Sequence, residues 1–283
     1  MIIIESIEQL SHNPFKSPFA LIPTMGNLHS GHINLLNLAS NKNYNPVVSI
    51  FVNPLQFGPS EDLETYPRSL EQDLEILKEH NCHGVFVPKQ EEILKNIENL
   101  IAPMSNKLCS KSRPGHFDGV ITIVNRLFEV TKPEACVFGM KDFQQQLIIK
   151  HLIRQKKYEI EFLSAPTERD KNGLALSSRN NYLQEREKIE ASVIFKSLSD
   201  MGSELKLLSQ TNKKNFLTEL ESIQKKYTKK IEEQGFEIDY LELSDPETLE
   251  KFEFNSNRIL IAIAVFFKKV RLIDNLVIDL ASS

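Results

Sequence analysis

The sequence predicts an α/β protein, a Rossmann-like doubly wound parallel sheet with a smaller C-terminal α+β domain. Over 1–175 short apolar runs alternate with amphipathic stretches of helical period, which is the pattern of βαβ units in a parallel sheet covered on both faces. Over 176–283 long charged helical stretches precede a group of strands, and that change of character marks a second domain.

The elements follow in order. Phe19 to Ile22 reads as a buried strand, and Ile33 to Ala39, apolar at 33, 35, 36, 38 and 39, as the helix after it. Val47 to Val52 is the next strand, followed by a helix from about residue 67, where Pro67 suits the first helical position. Val85 to Val87 is a further strand. Then come a helical stretch Val120 to Val130, the strand Ala135 to Phe138, a helix from about Phe143 to Gln155 and the strand Glu159 to Leu163. In the second domain Glu185 to Leu208 and Asn212 to Gln234 read as helices, ahead of Phe236 to Leu243, Arg258 to Phe267 and Val270 to Ile278. The lysine-rich stretch 213–230 is expected to be a solvated helix face.

Composition narrows the function. Of the 283 residues 41% are hydrophobic and 25% charged, as in ordinary soluble proteins, and no apolar run approaches the ~20 residues that cross a bilayer. Met1 to Glu5 lacks the basic start and small-residue cleavage site of a signal peptide, so a cytoplasmic location without membrane partners is expected. Cys82, Cys109 and Cys136 lie far apart with no CxxC, against both a disulfide framework and a structural zinc site. A net charge of −4 gives no global attraction for nucleic acid. A polyanionic small ligand needs a local basic cluster, which His29, His32, Arg113, Lys141 and Arg179 could supply.

The strand ends carry the unusual residues, and ligands of open sheets bind beyond those ends. Met25-Gly26-Asn27-Leu28-His29-Ser30-Gly31-His32 links the first strand to its helix. A helix N-terminus offers unpaired N–H groups and a positive dipole end, the glycines allow close approach, and two imidazoles, protonated or as hydrogen-bond donors, complete a triphosphate clamp. A bare histidine pair also fits ordinary loop residues or zinc ligands, with His116 a conceivable third ligand. Asn53-Pro-x-Gln56 places two carboxamides where a small hydroxy acid could be held without added charge. Glu61 to Arg68 reads as a structural turn or a flap, and Arg113 to Val120 as a turn near the substrate. Gly139-Met140-Lys141-Asp142 with Gln144-Gln145 offers a cation for phosphate, a carboxylate for Mg²⁺ and a carboxamide for a hydroxyl-bearing substrate. Leu176-Ser177-Ser178-Arg179 offers two hydroxyls and a guanidinium fork as a phosphate hook, or simply a helix cap.

Met25 to His32, Ser49 to Phe57, Arg113 to Val120, Phe138 to Gln145, Asp170 to Leu183 and Arg271 to Asn275 together closely resemble the pantothenate synthetase (pantoate–β-alanine ligase) family of the nucleotidylyltransferase superfamily. The resemblance implies an ATP- and Mg²⁺-dependent ligation by a homodimer: (R)-pantoate is adenylated with loss of pyrophosphate, and the amine of β-alanine then displaces AMP to give pantothenate. It assigns ATP to Met25 through His32, Gly139 through Asp142, Glu168 and Leu176 through Arg179, with the C-terminal domain closing over the nucleotide. His32 corresponds to a proton donor, and His29, Lys141 and Arg179 share its catalytic task. The resemblance gives Gln56 and Gln145 to pantoate and β-alanine, while residue chemistry alone adds Asn53 beside them and Asp142 as the carboxylate for the metal. Met140 stands where the family has Glu, and 95–112 lacks the family's usual elements. The alternatives are another small-molecule nucleotidylyltransferase and a nucleotide-binding module without catalysis.

Overall fold

The computed structural model describes residues 1–12, 14–59, 61–211, 215–253 and 256–280. The chain forms two compact units, one of Met1–Ser105 with Arg113–Thr167, the other of Asn106–Ser112 with Glu168–Ser283. Sequence character divides the chain at 175/176, whereas the contacts divide it at Thr167/Glu168 and give 106–112 to the second unit.

The first unit is a parallel sheet of β1 (Ile2–Ile4), β2 (Phe19–Thr24), β3 (Asn45–Ile50), β4 (Gly84–Phe86), β5 (Ala135–Gly139) and β6 (Glu161–Ala165), in the order β1-β4-β3-β2-β5-β6. The chain runs from β2 outward to β3 and β4, then crosses to the other side of β2 for β5 and β6. The order therefore reverses between β2 and β5, where the carboxyl ends of such a sheet open a crevice. Leu21, Ile22, Val47, Val48, Val85 and Cys136 have no measurable exposure, as expected of strands covered on both faces. Alternate residues Ala20, Ile22, Val48, Ile50, Val85 and Val137 pack with Leu36 and Ala39 of α2 (Ser30–Asn41) and Leu77 of α3 (Leu70–Glu79).

Several boundaries differ from the sequence reading for physical reasons. β3 begins and ends two residues before the apolar run suggests, because the ladder starts at Asn45 and releases Phe51 and Val52 into the polar turn. β6 is displaced two residues the other way, to 161–165. Ile2–Ile4, read only for leader character, is an edge strand paired in register with 84–86. α3 starts at Leu70 after Ser69, so Pro67 does not open it. Between the strands lie three short helices, α1 (Ile7–Leu10), α4 (Gln90–Leu94) and α5 (Cys109–Ser112), then α6 (His116–Thr131) and α7 (Phe143–Lys156).

In the second unit the stretch expected as one helix is two, α8 (Glu185–Ala191) and α9 (Val193–Thr211), with Ser192 between them. α10 (Phe216–Glu232) follows; 212–214, expected within it, lie outside the described residues, as do the first two positions of the lysine-rich stretch. β7 (Glu237–Ser244), β8 (Arg258–Phe267) and β9 (Val270–Asp279) form an antiparallel sheet in that order. Leu198, Met201 and Leu205 of α9 and Leu220, Ile223 and Tyr227 of α10 share its core with Ile259, Ile261, Ile263 and Val265. Among the described residues no helix is long and apolar enough to cross a membrane.

One close approach fixes the site. α6 passes so near the 3-10 turn Pro54–Gln56 that a Cβ on Gly119 would lie 2.2 Å from the carbonyl oxygen of Leu55 and 2.6 Å from the nitrogen of Gln56. Both obstacles are backbone, so neither can swing aside. Gly119→Ala is therefore expected to cost about 1–3 kcal/mol, read as a lower urea midpoint at unchanged slope.

Candidate functional site

The loop between β2 and α2 is shaped by its own backbone. Gly26 and Asn27 both take left-handed conformations, φ 80° and 51°. His29 is the N-cap of α2: its Nδ1 accepts the N–H of Gly31 at 3.1 Å, and Nδ1 of His32 reaches back to accept the N–H of His29 at 3.2 Å. This is a capping box built from two imidazoles, whose ring centres stand 4.2 Å apart. With Nδ1 accepting, the proton of each neutral ring sits on Nε2, so each ring offers one fixed N–H donor.

The rings are neutral. Burial, helped by the charge of Lys141, brings His29 from the ordinary 6.5 down to about 4. Burial first, then His29 and Lys141, brings His32 down to about 3. Of the two forms the sequence left open, protonated rings or neutral hydrogen-bond donors, burial favours the neutral pair. The expected backbone cradle is corrected: the N–H groups of Asn27 and Leu28 go to the Asp73 carboxylate, that of Gly31 to His29, and that of His32 to the carbonyl of His29. Four of the loop amides are therefore already engaged within the protein.

Lys141 lies in the 3-10 turn Met140–Asp142 after β5, near enough to depress both histidines. The structure so brings His29, His32 and Lys141 together at the reversal point of the sheet. Asp142 is exposed at the N-cap of α7 and takes no capping hydrogen bond. Among the described residues no three His, Cys, Asp or Glu side chains group to hold a metal ion. A Mg²⁺ carried by a nucleotide needs only one or two carboxylates beyond the phosphates, and Asp142 fits that smaller demand.

The turn after β3 holds the carboxamides. Asn53, 3% exposed, is spent internally: Nδ2 donates to the carbonyl of Gly119 and to Oε1 of Gln56, both at 3.0 Å, and Oδ1 accepts the N–H of Leu55. The expectation that Asn53 meets a ligand is corrected accordingly; it sits behind Gln56 and orients it. Oε1 of Gln56 accepts once, from Asn53, and its NH₂ makes no hydrogen bond among the described residues. Gln145, half-buried in the first turn of α7, has no hydrogen bond to its carboxamide among the described residues.

Two other candidates turn out to be supports. Nδ1 of His116 lies 2.8 Å from the backbone oxygen of Gln56, which can only accept, so Nδ1 carries the proton and Nε2 accepts from Arg113 at 3.0 Å. Burial, reinforced by Arg113, holds His116 down at about 4. It is a brace for the Gln56 turn rather than a metal ligand. Arg113 makes a two-pronged pair with Glu61, at 2.7 and 2.6 Å, so its charge is already matched and the basic cluster loses that member. The same pair ties the segment read as a flap to the turn that precedes α6.

Within the second unit the segment 168–180 is a tight hairpin. Leu176 donates its N–H to the carbonyl of Glu168, Arg169 bridges Ala175, and Nδ2 of Asn180 holds the carbonyl of Ala175. The hydroxyl of Ser177 accepts the N–H of Arg179 at 3.3 Å, capping the 3-10 turn Ser178–Tyr182, and its own proton remains to donate. Arg169 anchors the hairpin through Asp274, at 2.6 and 2.8 Å, and lies 3.5 Å over the ring of Phe195. Sequence reasoning missed this anchor, as it missed Asp73. Neither belongs to a local pattern.

His29, His32 and His116 are the histidines depressed furthest, burial also lowers His83, and all four give the acid response the same sign. Below 6.5 the unfolded chain takes protons that the folded chain refuses until about 4 or lower, so stability is present above 6.5 and falls as pH drops. Urea unfolding at stepped pH is expected to show proton uptake approaching one per imidazole of His29, His32 and His116, and His116→Gln to remove one of them.

The family model described as pantoate-beta-alanine ligase matches residues 3–277. A pantothenate synthetase of Thermosipho africanus is 42% identical over 282 residues, 97% of this chain and 98% of its own length. One from Psychrobacter is 42% identical, covering 96% of each chain. The Thermus thermophilus crystal structure superposes with a TM-score of 0.87 at 34% identity, over 98% of this chain and 99% of that one. A Francisella tularensis pantoate-beta-alanine ligase complexed with beta-gamma ATP and beta-alanine gives 0.74 at 35% identity, over 98% and 97%. A sheet reversal furnished with a histidine pair and a lysine thus coincides with similarity along nearly the whole sequence, and the chain belongs to the pantoate–β-alanine ligase family.

Proposed function

We propose that this chain condenses (R)-pantoate with β-alanine at the expense of ATP, releasing AMP and pyrophosphate, in the cytoplasm and as a homodimer. The observation that carries the reading is the group His29, His32 and Lys141 at the sheet reversal of a chain similar to pantothenate synthetases from end to end.

In the first step a carboxylate oxygen of pantoate attacks the α-phosphorus of ATP. A new P–O bond forms, the bond to the α,β-bridging oxygen breaks, and pyrophosphate leaves with its electron pair. In the second, the amine of β-alanine attacks the acyl carbon, AMP leaves with the C–O pair, and the nitrogen gives up a proton to solvent.

An unactivated carboxylate demands positioning and charge stabilisation more than proton transfer. His29 and His32 donate through Nε2–H to phosphate oxygens and Lys141 supplies a cation. Each such donor is worth ~2–4 kcal/mol by analogy with oxyanion donors. Gln56 turns its NH₂ toward the carboxylate or hydroxyl oxygens of pantoate, and Gln145 completes that pocket. The loop Met25–His32, the segment Gly139–Asp142, Glu168 and Leu176–Arg179 are assigned to the nucleotide. Mg²⁺, arriving on the phosphates, adds neutralising charge.

Incubation with ATP, Mg²⁺ and pantoate should release pyrophosphate, and AMP should follow once β-alanine is added. Absence of AMP at every supply of the two acids would sink the ligase reading. His32→Ala should lower adenylation by about two orders of magnitude or more. His32→Gln, which keeps an N–H near the Nε2 position, should recover part of that loss; if the two variants are equally impaired, His32 works as an acid and not as a fixed donor.

A further inference from the structure

Asp73 lies in the first turn of α3 and is 1% exposed. Its partners are three donors. Oδ1 accepts the N–H of Leu28 at 2.8 Å, while Oδ2 accepts the N–H of Asn27 at 2.9 Å and the hydroxyl of Ser69 at 3.2 Å. A carboxylate inside a loop that is itself a candidate for a triphosphate is unfavourable unless its charge has a local use. Here it has one.

Gly26 and Asn27 are successive left-handed residues, and the two N–H groups that follow them, those of Asn27 and Leu28, both donate to Asp73. The carboxylate gives one oxygen to each N–H. A left-handed residue other than glycine costs about 1–3 kcal/mol and persists only where its surroundings over-determine it. Two charge-assisted hydrogen bonds do so at Asn27. At Gly26 a Cβ would lie 2.9 Å from Oδ2, so the glycine makes room for the carboxylate as well as the φ angle.

The kink at 26–27 decides where the chain re-enters helical structure, and hence that His29 becomes the N-cap of α2 with His32 folded back on it. We propose that Asp73 is a positioning residue of the nucleotide site: by accepting from the amides of both Asn27 and Leu28 it sets the loop that aims the Nε2–H groups of His29 and His32. The proposal rests on the assignment of this loop to ATP. With both oxygens spent on these three donors, Asp73 acts through the loop and not on the phosphates.

The isosteric Asp73→Asn leaves the volume intact and faces an NH₂ against one of the two amides. Affinity for a non-hydrolysable ATP analogue, read by calorimetry, should fall by about tenfold or more, the size of one lost charged hydrogen bond. KM for pantoate should stay within about threefold, and the amides of Asn27 and Leu28 should lose protection from hydrogen exchange. Ser69→Ala, which removes one of the three donors, should shift analogue affinity the same way by less; it carries the comparison if Asp73→Asn does not fold. Analogue affinity within twofold of the parent, or equal losses toward the analogue and pantoate, overturns the proposal. Failure of the parent itself to bind the analogue overturns the assignment of the loop to ATP instead.

Discussion

The helix after the first central strand begins on an imidazole, and the rest of the site follows from that choice. Ser or Thr would satisfy the first amides of α2 equally well, but would leave no second polar atom pointing away from the helix, and the second oxygen of Asp could only accept. An imidazole accepts with Nδ1 and still presents Nε2–H on the far side of the ring. His29 and His32 do so in tandem, at 3.1 and 3.2 Å, so the hydrogen bonds that start the helix also fix the tautomer and direction of both donors. Stability of the helix start and orientation of the site are one set of bonds.

Burial and charge then settle the protonation state. Desolvation is the largest influence on both rings, and Lys141 adds to it. Arg113, which composition counted among the cations, is matched by Glu61 and turned to bracing His116. The turn bearing Gln56 is built the same way. Asn53 takes its oxygen, His116 its carbonyl, and Gly119 lets α6 close against the backbone. The turn leaves the NH₂ of Gln56 unbonded among the described residues, a donor suited to the oxygens of an acid.

Much of this was legible from the sequence, and what was not shares a cause. The alternation of strands and helices, the reversal-point loops and the histidine pair are local patterns, and each survives in the structure. The boundaries of β3 and β6 moved because apolar runs report burial, whereas strand ends report hydrogen bonding; Phe51 is buried yet lies past β3. The orientation of Asn53 was unreadable because its partner, the carbonyl of Gly119, is 66 residues away. Asp73 meets backbone amides 45 and 46 residues distant, and backbone amides are present in every sequence, so no side-chain pattern announces it. Arg169 and Asp274, 105 residues apart, are the same case in the second unit.

A neutral clamp suits the proposed adenylation better than a cationic one. Only interactions stronger in the transition state than in the ground state raise the rate, and ATP brings most of its charge to the enzyme already in place. An imidazolium would hold that ground-state charge tightly, and protonation at Nδ1 would set its N–H against the amide it now accepts from, breaking the cap of α2. Neutral Nε2–H donors, held by the helix start and unable to turn, bind the resting triphosphate weakly. They strengthen as negative charge gathers on the departing pyrophosphate, without reorganising. Burial and Lys141 hold both rings in the neutral form, the one form in which the same imidazole can cap the helix through Nδ1 and offer Nε2–H to a developing anion.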